Sequence, residues 1–460
     1  MFHWSEARLA RMNAFEDRAR ARRVLERMPE GGLFAGHRWR TSPAAFPIDP
    51  AVAADLDRLG AVLLRFYQAA DRLYRESAAG SRFPWVASVL DRGKPDWLVA
   101  MQRTPALRGQ VPRVIRPDLL LTDTGMALTE LDSLPGGIGL TAWLNEVYAP
   151  WEPGLVGGPH GMLDGFQSLF ADASRIHIVV SEEAQTYRPE MEWLCRSLAG
   201  HTHTPVTCQV QDGNARDIRD GDAVYRFFEL FDVDHVPCAR DLLDRACRGA
   251  IRLTPPPKPL FEEKILLGLL WNPRLQAWWR GELGDTTLET LLRVVPYTWI
   301  VDPAPVPPHG VIPELELTDW RQLKTLSQRG RELVLKVSGF SPQSHSSHGV
   351  SLGNDLSAEA WGTAVDAAIQ GFDESPRVLQ RYRKPREVRV SWYDPGADTL
   401  IPLAGRVRLC PYYFVAGDGA AAQARLGGCL ATVCPADKKI IHGMSVAILA
   451  PTATSPTASA

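Results

Sequence analysis

The chain reads as an α/β protein with an N-terminal helical region, a parallel strand–helix layer in its middle and a β-rich C-terminal section. Three observations predict this. Residues 50–80 carry Val52, Leu56, Leu59, Val62, Leu63, Phe66 and Leu73 at helical spacing. From residue 174 the pattern alternates: RIHIVVS as a buried strand, EEAQTYRPEMEWLCRSL as a helix, PVTCQVQD as a strand and AVYRFFELF as a third apolar run. Strand–helix–strand at this length makes a parallel layer, because parallel neighbours need a crossover. Residues 387–450 are β-rich and end in KIIHGMSVAIL.

The other elements follow in order. Residues 1–30 read as an amphipathic helix closed by Gly31 and Gly32. VIRPDLLLTDTGMALTELDSLPGG reads as two short strands joined by a turn at Asp123-Thr124-Gly125, with LTAWLNEVY after it as a helix. TPPPKPL (254–260) is expected to be a stiff linker. A helical stretch at 261–293 and the Pro-rich run PAPVPPHGVIP (303–313) follow it. Then come the strand RELVLKVSG, a Gly/Ser/His loop, the helix SAEAWGTAVDAAIQGF and the strand RVLQRY. This gives a helical region at 1–95, a hairpin plus α/β layer at 96–255, and a region at 256–450 with a lid-like segment at about 331–385. The tail 451–460 (PTATSPTASA) is expected to be disordered. The tryptophan-rich WNPRLQAWW (271–279) suits either core or interface.

Composition removes several classes. A hydrophobic fraction of 45% and a charged fraction of 23% are those of an ordinary globular chain. A net charge of −2 gives no bulk field toward nucleic acid or an anionic membrane. No apolar run approaches the ~20 residues that span a bilayer. The charged start has no apolar h-region, so no secretory signal is expected there. Seven cysteines without framework spacing read as reduced thiols, which points to the cytoplasm. Lysine is rare beside arginine, 8 against 43, so each lysine stands out.

Arg116, Asp118, Glu130 and Asp132 carry the chemistry. Glu130 and Asp132 lie two apart on one strand and share a face, with Asp118 on the partner strand. Carboxylates gathered this way repel one another unless a cation sits among them. Mg²⁺ carrying nucleotide phosphates suits their hard oxygens. Lys336 ends the apolar strand Leu333–Leu335 and leads into a loop with Ser338, Gly339, Gly349 and Gly353. Glycines there let amides approach phosphate, and a strand-borne lysine adds a point charge. Gln380, Arg381 and Tyr382 stand where a second strand would wall an adenine cleft. Lys264 opens an apolar helix behind Glu262 and Glu263.

Weaker signals remain. Gly137-x-Gly139-x-x-Ala142 resembles a dinucleotide fingerprint, but no acid-ended strand follows about 20 residues on. His201 with His203, and His345 with His348, lack a third metal ligand at recognisable spacing. Cys429 and Cys434 read as core thiols. No Walker P-loop, GxSxG elbow, HExxH helix or nucleic-acid-binding module is present.

Together these pieces resemble the circularly permuted ATP-grasp proteins, the group that includes glutathionylspermidine synthetase. In that group metal-binding strands come early and a phosphate-covering lid comes late. Its Arg, Asp, Glu and Asn motif matches Arg116, Asp118, Glu130 and Asp132, with Asp132 replacing asparagine. Its two lysines match Lys264 and Lys336, and its hinge matches VLQRY. The resemblance covers roughly 110–445. It implies a cytoplasmic ATP- and Mg²⁺-dependent carboxylate–amine ligase acting through an acylphosphate. Asp118, Glu130 and Asp132 would bind metal, Arg116 would be catalytic, and Lys264, Lys336, Ser338, Gly339, Gly349, Gln380, Arg381 and Tyr382 would bind ATP. Substrates would be a small carboxylate and an amine, within the range of peptides, amino acids and polyamines. Two other readings stay open. Asp132, and Val337 where proline is common, allow an ATP-binding scaffold without turnover. The Gly137 loop allows a nicotinamide enzyme.

Overall fold

The computed structural model describes residues 6–170, 172–201, 206–306, 310–344, 349–443 and 446–455, with side chains from residue 14 onward. His203, His345 and His348 lie outside these residues, as do residues 456–460.

Three sheets organise the chain. The largest has eight strands. Its centre is the long strand Thr399–Ala416, paired along its length with Gln423–Pro435. On the other edge it takes Glu387–Asp394 near its start and Val114–Thr122 near its end. The strand Val114–Thr122 in turn pairs with Gly125–Asp132, the expected hairpin. A second sheet holds Arg175–Val180, Thr207–Gln211, Ala223–Phe227 and Arg252–Thr254, all parallel, as the alternating pattern predicts. The third is an antiparallel sheet of Thr298–Ile300, Leu333–Val337, Val350–Leu352 and Arg377–Arg381.

Helices bury their apolar faces between the sheets. Pro50–Ala78 starts at a proline in its first turn and packs Leu56, Leu63, Phe66 and Leu73 onto the large sheet. Ile265–Trp271, Gln276–Leu283 and Asp285–Val294 join that core. The single helical stretch expected at 261–293 is thus three helices, and Pro273 interrupts the first break. Ile138–Tyr148 and Arg188–His201 fill a second core between the large sheet and the parallel layer. The first helix, described over Glu6–Glu26, ends before residue 30.

Three expectations are corrected, and one left open is decided. Residues 451–454 are not a disordered tail. They belong to the strand Ile448–Thr454, which runs between Gln423–Pro435 and Arg40–Thr41, and its end pairs with Phe46–Ile48. Low complexity misled there, because alanine and threonine suit a close-packed strand as well as a coil. Residues 254–260 are not a solvent linker: all are buried, and Lys258 pairs with Asp71 at 2.5 Å. The cysteines are not all free thiols: Cys195 and Cys208 form a disulfide between the helix and an edge strand of the parallel layer. Trp278 and Trp279 are core residues, which resolves the 271–279 stretch.

Candidate functional site

Register places the hairpin charges. Arg116 lies opposite Asp132 and Asp118 opposite Glu130, with a bulge just after Asp118. All four share one face, since alternate strand residues point the same way. Arg116 approaches Asp132 at 2.9 Å and Asp118 at 3.3 Å, and donates to the Gly136 carbonyl at 3.2 Å.

A fifth residue, Arg408 of the long strand, donates to Asp118 Oδ2 at 2.7 Å, and the Cys410 thiol lies on Oδ1. Sequence reasoning missed Arg408. Its signal was an arginine at alternate spacing in an otherwise apolar strand, Arg406-x-Arg408-x-Cys410. Burial works against the Asp118 charge, but Arg408 and Arg116 outweigh it and hold its carboxyl below the usual range. Asp132 goes the other way: burial raises it, Arg116 pulls it down, and the Glu130 charge pushes it up.

The antiparallel sheet faces this hairpin. Val334 pairs with Gln380 and Lys336 with Val378, so Lys336 and Gln380 sit on one face. Lys336 donates to the Thr129 carbonyl at 2.7 Å and to Gln380 Oε1 at 2.9 Å, and Gln380 donates to Thr298. Burial lowers the Lys336 pKa to about 8. Lys264 lies 2.7 Å from Glu130 Oε1 and donates to the Ser344 carbonyl at 2.8 Å. Burial opposes its charge, and Glu130 more than offsets that. Four cations, Arg116, Arg408, Lys264 and Lys336, therefore surround three carboxylates.

The other sequence candidates separate. Ser338 is fully buried. Its hydroxyl donates to Glu263 and accepts from the Ile265 amide, so it braces the loop base. Gly339 crosses Glu262 so closely that a Cβ would stand 2.2 Å from that carbonyl. Gly349 accepts from the Val337 amide and closes the loop's far end. Arg381 points away from Lys336, over the Trp299 ring and toward the Glu314 carbonyl. Strand alternation thus splits Gln380 from Arg381. Tyr382 is half-buried, its amide donating to the Glu332 carbonyl.

The hairpin face opens on a cavity of about 360 Å³. Arg408 and Tyr412 of the long strand line it, with Tyr187 and Glu229 from the parallel layer opposite. Burial, with the nearby Glu262 and Asp132 charges, pushes Glu229 well above the ordinary range. Its neighbour Glu262 is committed to Arg226 at 2.7 Å.

The Gly137 turn does not serve a pyrophosphate. Glu190 accepts from the Gly137 and Leu140 amides at 2.8 and 3.1 Å, so a protein carboxylate already holds the helix N-terminus. Tyr412 also donates to the Gly136 carbonyl. His201 pairs with Asp164 at 2.6 Å. Among the described residues, no three His, Cys, Asp or Glu side chains converge as a metal-ligand group. The hairpin carboxylates have the all-oxygen chemistry that Mg²⁺ prefers. In this arrangement each one already faces a protein cation.

No family model matches the chain, and no curated protein matches it. Among solved structures, a glutathione synthetase-like effector (GSS30) from Globodera pallida, in its apo form, is similar over 97% of this chain and 97% of its own. The identity is 11% and the TM-score 0.59. A putative gamma-glutamylcysteine synthetase from Methylobacillus flagellatus KT aligns over 87% of this chain and 90% of its own, at 11% identity and TM-score 0.40. The D-cycloserine synthetase DcsG aligns over 62% and 93%, at 15% identity and TM-score 0.27. The likeness to the glutathione synthetase-like effector is one of fold, an α/β arrangement of sheets and helices.

Proposed function

We propose that the chain is an ATP-dependent carboxylate–amine ligase working through an acylphosphate, with the circularly permuted ATP-grasp arrangement. One observation carries this reading. The lysine-bearing sheet closes on the acidic hairpin, with Lys264 on Glu130 and Lys336 on the Thr129 carbonyl. Four cations about three carboxylates suit a polyanion that brings its own metal. The hairpin also precedes the lid sheet in the chain, as in the permuted group, and the GSS30 likeness supports the fold.

In this reading a substrate carboxylate oxygen attacks the γ-phosphorus, and the bond to the β-phosphate oxygen breaks to release ADP. An amine then attacks the acyl carbon, phosphate leaves, and the amine loses a proton. Such chemistry needs positioning and charge neutralisation above all. Lys264 and Lys336 exchange their protein acceptors for phosphate oxygens. Arg116 and Arg408 stabilise charge on the transferring phosphoryl group. Asp118, Glu130 and Asp132 would hold Mg²⁺, which neutralises phosphate charge when bound. The loop that follows Lys336 would exclude water from the acylphosphate. The cavity between the hairpin and the parallel layer would take the small carboxylate and amine, among peptides, amino acids and polyamines, in a cytoplasmic setting.

A second reading, an ATP-binding scaffold without turnover, draws on Asp132 and on carboxylates already paired with arginine and lysine. Phosphate release from ATP·Mg across a panel of acids with amines separates the two. A ligase releases phosphate only when both substrates are present. A scaffold binds ATP and releases none.

A further inference from the structure

The helix Arg188–His201 connects the candidate site to the edge of the parallel layer. Its start meets the turn that follows Asp132 with no space to spare. The Glu190 carboxyl accepts from the Gly137 and Leu140 amides at 2.8 and 3.1 Å. A Cβ on Gly139 would stand 2.3 Å from the Glu190 carbonyl oxygen, and one on Gly136 would stand 2.1 Å from the Tyr187 ring. The same turn serves the site, because the Gly136 carbonyl accepts from Arg116 at 3.2 Å and from Tyr412 at 2.8 Å. A shift of this helix is therefore passed to the turn and from there to Arg116.

Further along the helix, Cys195 is bridged to Cys208 on the strand Thr207–Gln211. That strand is outermost in its sheet and pairs only with Arg175–Val180 among the described residues. Cys195 is buried and Cys208 is half-buried, so a thiolate from solution reaches the Cys208 sulfur first. Bridges that solvent can reach are the labile ones. The five other cysteines carry free thiols, and Cys410, Cys429 and Cys434 among them are buried. With the bridge closed, a covalent tie fixes the helix to the sheet edge. With it open, the helix is held by Met191, Leu194 and Leu198 in the second core. Apolar packing is non-directional, so it resists a small slide of the helix less than a covalent tie does.

We propose that the Cys195–Cys208 bridge is a redox switch on the candidate site, opened by a small dithiol, and that opening it loosens the hold of Glu190 on the Gly136–Leu140 turn. One thiolate of the dithiol attacks Cys208 Sγ. The S–S bond breaks, and Cys195 leaves as a thiolate and takes a proton. The second thiolate of the dithiol then displaces Cys208, which also takes a proton, and the reagent ends as a cyclic disulfide. Two electrons pass from the dithiol to the protein. This inference stands apart from the nucleotide reading, since it needs only the helix, its bridge and the turn.

The test is hydrogen exchange of the full chain at neutral pH, with and without dithiothreitol, read by mass spectrometry over residues 134–141. Native thiol counts accompany it, five without the dithiol and seven with it. Exchange over 134–141 is expected to rise about tenfold on reduction, the scale of one weakened hydrogen bond, while the strand Leu333–Val337 stays unchanged. The double variant Cys195→Ser, Cys208→Ser should exchange at the faster rate with or without dithiol. Faster exchange confined to the helix and Thr207–Gln211 overturns the proposal, because the bridge is then only a brace. A native count that stays at five in dithiothreitol overturns it too, as does a count of seven without it. The wild-type comparison needs no variant, so it decides the matter even if the double variant does not fold.

Discussion

Lys264 and Glu130 meet at 2.7 Å, joining the start of the helix Ile265–Trp271 to the edge strand of the acidic hairpin. Lys264 also donates to the carbonyl of Ser344 within the loop. The contact therefore links loop, helix and hairpin. An incoming phosphate would compete for the same ammonium.

Lys336→Met tests the nucleotide reading most directly. Melting of the wild type should rise with ATP·Mg, because a ligand at 100 times its dissociation constant adds about 2.7 kcal/mol. The shift should vanish in Lys336→Met, shrink with EDTA, and be absent with NAD(P). Glu130→Ala should keep the fold and lower phosphate release by roughly 10²–10³-fold, the scale for losing one electrostatic contact to the transition state. Full ATP-consuming activity in Glu130→Ala would remove Glu130 from the metal assignment.

Glu190 should give the protein an acid-side stability gain. Burial outweighs its two amide hydrogen bonds and raises its pKa from 4.5 to about 7. Between those values the folded state binds a proton that the unfolded state has lost, so stability falls as pH rises through the window. Linkage bounds the effect at ~3 kcal/mol. Unfolding free energies measured across that window should show the slope, and Glu190→Gln should flatten it. An unchanged slope in Glu190→Gln would place its source elsewhere.

Lys94 and Glu263 form an ion pair with both side chains buried, and Glu263 also takes the Ser338 hydroxyl. Lys94→Met leaves a buried carboxylate unpaired, which should cost roughly 3–5 kcal/mol in denaturant unfolding. Adding Glu263→Gln removes the orphan charge and keeps an acceptor for Ser338. The double variant should therefore be more stable than Lys94→Met alone.

The Cys195–Cys208 bridge closes a short loop between helix and edge strand. Thiol titration of the denatured, unreduced chain should count five groups, the free cysteines 238, 247, 410, 429 and 434. Replacing both bridge cysteines with alanine should lower stability by about 3 kcal/mol, as expected for a loop of this length. A count of seven would show the bridge absent in solution.

The sequence by itself determined those features that arise from local periodicity. Alternation put Glu130 and Asp132 on one strand face, and the register sets Asp118 and Arg116 opposite them. Helical spacing located Pro50–Ala78, and the strand–helix alternation located the parallel layer. Tertiary structure decided which groups from distant segments meet. Arg408 reaches Asp118 only because two strands far apart in the chain pair in the large sheet. Glu190 holds the Gly137 turn only because two helices pack across a common core. Ser338 sits under its loop and Arg381 turns from the cleft because local alternation fixes opposite faces without saying which face will be covered. Of the strand Ile448–Thr454, the end at 451–454 had no apolar signal of its own. Its partners, Arg40–Thr41, Phe46–Ile48 and Gln423–Pro435, gave it structure by supplying the hydrogen bonds.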